Sequence, residues 1–197
     1  TNEWKIWVYP ASLAIEKGGV IVTDRLAEAY EALKAGKKVL FNPPYRFCAG
    51  IPGKFVPVFW SPVHFPRQAG TMGLLLDPAH KAFADFPTDS HTDWQWWRLV
   101  TQSRTWVVDS FYRQITPLVE NVDNFVNNRR LCSIFEANCL DGKLLVCSMD
   151  LWHEDKDSPE KKQLLYSLLN YMNSEAFAPV PTVAFDRIRS LVVSGEK

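Results

Sequence analysis

Leu131-Cys132-Ser133-Ile134-Phe135-Glu136-Ala137-Asn138-Cys139-Leu140-Asp141-Gly142-Lys143-Leu144-Leu145-Val146-Cys147-Ser148-Met149 is the stretch on which the fold turns. Asp141-Gly142 is a strong hairpin signal between two apolar runs. A two-residue loop there sets Leu140 opposite Lys143, Cys139 opposite Leu144 and Glu136 opposite Cys147. Alternation puts Phe135, Ala137, Leu144 and Val146 on one face, and Leu140 and Leu145 on the other. A hairpin apolar on both faces belongs inside a layered α/β domain, not on an open sandwich.

Downstream, Ser158-Pro159-Glu160 opens a helix running to about Met172. Ser158 is the expected N-cap, Pro159 takes the first helical position, and Leu164, Leu165, Leu168 and Leu169 form the buried stripe. A Pro-broken linker at 178–181 leads to an amphipathic tail, Phe185 to Val193. Upstream, the aromatic and β-branched run Trp4 to Tyr9 is the expected first strand. Thr23 or Asp24 caps a helix near 24–35, Gly36 stops it, and Lys37 to Phe41 is a second strand. That order makes a β-α-β unit with parallel strands. Between these ends, Phe55 to Trp60 is a short extended segment demoted to an edge by Pro57. Gly73 to Asp77, Thr105 to Val108 and Leu118 to Val122 are strand candidates. His80 to Phe86 is a helical turn and Thr92 to Val100 a short helix. The sum is a three-layer α/β domain whose mixed, mostly parallel sheet ends in an antiparallel hairpin. It forms one domain over 1–197, with 178–197 as a C-terminal extension.

Composition narrows the function. Lys+Arg and Asp+Glu are 22 each, so the basic excess of a general nucleic-acid binder is missing. The longest apolar runs are too short to span a membrane. Hydrophobic residues make up 47%, which is globular and not disordered. The chain starts at Thr1 without a signal-type segment, which suggests a domain cut from a larger protein. None of the four Cys forms a Cys-x-x-Cys pair, so no structural zinc site is expected. Cys139 and Cys147 fall on opposite faces of the hairpin, which disfavours a disulfide between them.

Four groupings have residue types suited to chemistry. Cys48 is followed by Ala49-Gly50-Ile51-Pro52-Gly53, a loop and not the strand-to-helix turn of a nucleophile. Asp89, His91 and Asp93, with His64, His80 and Asp85 upstream, have metal-ligand chemistry, but Asp93 fits a helix first turn better. Glu136 and Asp150 are candidate carboxylates; Asp150 lies just past a strand end, where α/β sheets put function, but neither has an evident partner. In Trp94-Gln95-Trp96-Trp97, helical spacing puts Trp94 and Trp97 on one core-facing side and turns Trp96 elsewhere.

Several long stretches carry a resemblance. They are Phe59-Trp60-Ser61-Pro62-Val63-His64-Phe65-Pro66, Gly70-Thr71-Met72-Gly73-Leu74-Leu75, Asp77 through Trp97, Ile134-Phe135-Glu136-Ala137 and Gly142 through Leu151. Together they resemble the C-terminal accessory region of Bacteroidetes-type glycoside hydrolase family 2 proteins, the β-galactosidase-like "sugar-binding domain" proteins. The resemblance implies a class I glutamine-amidotransferase-like (flavodoxin-like) fold. It also implies a periplasmic or cell-surface parent whose two catalytic Glu lie in a separate barrel. No Gly-x-Cys-x-Gly elbow is present, so amidotransferase activity does not carry over, and no catalytic residue is expected here. The leading expectation is a non-catalytic accessory domain partnered with the other domains of its parent, without metal or cofactor. The alternative is a carbohydrate-binding module using Trp60, His64, His91 and Trp96. An autonomous α/β hydrolase ranks behind both.

Overall fold

The computed structural model describes residues 1–54, 64, 71–155 and 157–193. The expected segment Phe55 to Trp60, and with it Trp60, lies outside the described residues. Among the described residues, eight strands form one open mixed sheet: β1 Val20–Thr23, β2 Lys38–Phe41, β3 Ile51–Pro52, β4 Thr71–Leu75, β5 Arg104–Val107, β6 Thr116–Asp123, β7 Leu131–Cys139 and β8 Gly142–Cys147. The helices are α1 Leu26–Lys34, α2 Trp97–Thr101, α3 Pro159–Asn173 and α4 Phe185–Arg189. β1, β2 and β8 run parallel, and every other pairing between these strands is antiparallel. The sheet is therefore mixed but not mostly parallel: it contains a single β-α-β crossover, and its other half is built from neighbours that reverse direction.

β7 organises the sheet because both of its edges are used. β6 covers one edge, from Glu136 to Leu131, and β4 lies outside β6. β8 takes the other edge along 134–139, and β5 continues it at Leu131 and Cys132. The hairpin loop is Leu140-Asp141, so Cys139 faces Gly142 and Glu136 faces Leu145. That register is two residues from the expected one, and an even slip keeps each side chain on its face. Leu140 is the exception: at the loop it takes φ 53° and is exposed. Cys139 and Cys147 do point to opposite faces, and all four cysteines are buried.

Each face has its own core. Leu40, Ile134, Leu145 and Cys147 pack with Leu164, Leu168 and Leu169 of α3. Val39, Phe41, Phe135 and Val146 pack with Ala29 and Leu33 of α1 and Ile188 of α4. Helices thus cover both faces. Gly142 lies in this packing, where an added Cβ would sit 2.5 Å from Lys37 O and 3.0 Å from Leu33. Gly36 ends α1 at φ 72°, a conformation that favours glycine.

Two expectations are corrected. Residues 4–9 form no strand; the first strand is Val20–Thr23. The run has strand composition but no partner: Trp4, Ile6 and Val8 are exposed, while Tyr9 OH donates to Gln95 Oε1. The second concerns the Trp cluster. Trp94–Trp96 is a 3-10 turn and the α-helix begins at Trp97, so a single 3.6-residue period does not run through it. Trp96, Leu99 and Val100 form the buried stripe, and Trp94 and Trp97 face out. No helix among the described residues is long and apolar enough to cross a membrane.

Candidate functional site

The three parallel strands end in register, Thr23 beside Phe41 beside Val146. The carboxyl ends of parallel strands are where open α/β sheets place ligands. A pocket of about 520 Å³ opens there, lined among others by Asp24, Tyr45, Gln102, Asp150, His153 and Asp155. Asp24 directly follows β1. The chain leaving β2 supplies Asn42 and then a 3-10 turn, Tyr45–Phe47. Asn42 is fully buried; its Nδ2 donates to Cys147 O and Met149 O, and its Oδ1 accepts from Leu151 N. This side chain fixes the segment that carries Asp150.

Asp150 accepts four hydrogen bonds. Oδ1 takes His153 N at 2.8 Å and His153 Nδ1 at 2.9 Å; Oδ2 takes Glu154 N at 2.7 Å and Lys161 Nζ at 3.1 Å. His153 Nε2 lies 3.1 Å from Asp24 Oδ2. Both ring nitrogens therefore face carboxylates, which only accept when ionised, so the ring is an imidazolium donating twice. Burial works against the Asp150 charge, but the His153, Glu154 and Lys161 donors outweigh it and hold the carboxyl well below the usual range. Burial likewise opposes the His153 charge, and the hydrogen bonds to Asp150 and Asp24 override it and raise the imidazole. Lys161 and Asp150 are buried, and Lys161 also donates to Glu154 O at 2.7 Å. Two carboxylates and two cations balance, which is the condition for burying such charges.

This balance limits the chemistry. A His that serves as general base needs one nitrogen facing a nucleophile. Here carboxylates hold both, and among the described residues no hydroxyl or thiol is hydrogen-bonded to the ring. Cys48, expected to be no nucleophile, is 2% exposed and its thiol faces Pro43 O and Pro44 O.

The other candidates are scattered. His64 is an exposed turn residue in the sequence between β3 and β4. His91 is exposed and bridges to Leu75 at the outer strand β4. Asp93 caps the Trp94–Trp96 turn through Gln95 N, and His80 caps Lys81–Phe83 through Ala82 N. Asp89 pairs with Lys5 at 2.6 Å. No group of three metal-ligating side chains stands together among the described residues. Trp96 offers no sugar platform: it is fully buried, its ring stands edge-on to Phe83 and Phe86, and its Nε1 donates to Thr88 Oγ1. Glu136 is buried away from Asp150; burial raises its carboxyl against the Tyr171 hydroxyl that donates to it at 2.7 Å.

Of the strand-end cluster, the sequence reading found only Asp150. His153 and Lys161 were missed, although both leave a signal. His153 follows Asp150 by three residues past a strand end, and Lys161 sits in the stripe that Leu164, Leu165 and Leu168 otherwise fill. A family model described as "Domain of unknown function (DUF8487)" matches residues 20–193. No curated protein matches the chain.

Proposed function

The chain belongs to the DUF8487 family; we propose that it is a non-catalytic accessory domain of a glycoside hydrolase family 2 protein, docked on the catalytic barrel. The observation that carries the reading is a set of large apolar side chains that stay exposed among the described residues. Trp4, Ile6 and Val8 are 76%, 81% and 87% exposed in the segment that precedes β1. Trp94 is 67% exposed and lines a hollow with Trp7 and Tyr9 of that segment. Trp97 stands 6.0 Å from Trp94, ring to ring. Aromatic residues gathered in this way mark interfaces more than free surface. The locked imidazolium at the strand ends supports the non-catalytic half of the proposal. The resemblance of 59–97 and 134–151 to such accessory regions supports the parent.

On the same reading the fold is amidotransferase-like and the parent acts in the periplasm or at the cell surface. The parallel β1–β2–β8 core with helices on both faces is compatible with that fold. The test has two arms. The purified chain is incubated with chromogenic galactosides and glucuronides, with and without EDTA, and no turnover is expected. It is then titrated with a separately produced family 2 barrel; saturable binding is expected, weakened by Ile6→Lys and Trp94→Ala. Turnover, or a barrel that ignores the chain, would sink the proposal.

A further inference from the structure

We propose that the pocket at the carboxyl ends of β1, β2 and β8 binds a neutral, polyhydroxylated ring of monosaccharide size. The pocket, at about 520 Å³, lies within the range of small-molecule sites. Its polar wall carries acceptors, Asp24, Glu154, Asp155 and the Gln102 amide, together with the Arg46 guanidinium as a donor. Gln102 Nε2 donates to Asp155 Oδ2 at 2.8 Å, which fixes the amide and leaves Oε1 as its other end. That oxygen is buried without a partner. An adjoining hollow shares His153 and Asp155 with the pocket and is lined by Ser158, which is 4% exposed and whose hydroxyl also has no partner. Two orphaned polar atoms, one at the pocket and one at the hollow beside it, are an unsatisfied demand for hydrogen bonds.

The wall selects the ligand. Carboxylate acceptors beside a guanidinium donor suit hydroxyls, which both donate and accept, and the carboxylates outnumber the one guanidinium, which disfavours phosphate and carboxylate groups. Hydroxyls fit better than an ammonium, because His153 and Lys161 balance Asp24 and Asp150, and Arg46 in the same lining offsets part of the Glu154 and Asp155 charge. Tyr45, which also lines the pocket, has an aromatic face of the kind on which the C–H side of a ring packs. The inference goes beyond the accessory reading, since a domain that never touches its parent's barrel could still read a sugar here.

Saturation-transfer NMR and calorimetry on the whole chain test it, with galactose, glucose and xylose as probes, and glucuronate and ethylamine as controls. At least one neutral sugar is expected to bind saturably, and glucuronate and ethylamine about tenfold more weakly or not at all. Gln102→Met is expected to weaken the sugar about tenfold, as one hydrogen-bonding group is worth. Asp155→Gly removes a carboxylate at an exposed residue whose φ of 44° suits glycine, so it keeps the fold and is expected to weaken binding similarly. Trp94→Ala is expected to leave binding unchanged. No saturable sugar binding by the parent sequence, tighter binding of ethylamine, or binding lost in Trp94→Ala but kept in both pocket variants would overturn it. Chromogenic turnover plays no part in these readouts, so failure here leaves the accessory proposal intact.

Discussion

Lys161 is a full positive charge in the packed side of a helix, held there by Asp150 Oδ2 and Glu154 O. Lys161→Met fits the stripe sterically but leaves Asp150 with one cation fewer. It is expected to cost about 3 kcal/mol, read as a lowered urea midpoint at pH 7. His153 gives a second residue-level prediction through pH. Its folded pKa is raised, so its stabilising charge is fully present below the unfolded value of about 6.5 and is lost as pH rises through the folded value. Melting temperature should therefore fall on the alkaline side of about pH 6.5, and His153→Gln should flatten that slope. Asp150 has the opposite sign: its contribution is present above about 3.9 and is lost only in strong acid. Trp96→Ala should cost about 4 kcal/mol, against about 0.5 for Trp97→Ala, the reverse of what helical spacing alone suggests. The strand-end position of Asp150 was legible because strand boundaries leave a composition signal. The part of Asp24 was not: it meets His153 from over a hundred residues upstream, and no local pattern links them.

At the scale of elements, legibility followed local chemistry. Ser158-Pro159 and Gly36 mark helix ends by backbone geometry, and α3 and α1 end or begin within a residue or two of the expected places. Ser158 nonetheless makes no side-chain capping bond. Residues 4–9 were misread because β-propensity describes a half-buried pleated surface and says nothing of whether a neighbour exists. The hairpin shows what a turn signal fixes and what it does not. Asp-Gly located the reversal, but the loop closed one position earlier and left Leu140 in the left-handed region. A branched side chain there is strained by about 1 kcal/mol. Leu140→Gly should recover much of it, seen as a higher thermal midpoint with an unchanged circular dichroism spectrum.

For the whole molecule, β7 is bound along both edges and buried on both faces, and it joins the parallel half of the sheet to the antiparallel half. Its amides from Ile134 to Ala137 should exchange with deuterium only through global opening, while those of residues 4–9 exchange at once. Parallel pairing was expected to dominate because the one β-α-β unit is the most recognisable motif; the antiparallel majority is assembled from strands without such a marker. The same topology has a consequence for synthesis. Lys38 pairs with Lys143, so the inner neighbour of β2 is made about a hundred residues after it. A nascent chain on the ribosome displays an open apolar strand edge for all that interval, some five to twenty seconds at ordinary elongation rates. The first β-α-β unit must therefore wait, exposed to chaperones and to other nascent copies, until the far hairpin emerges to close it.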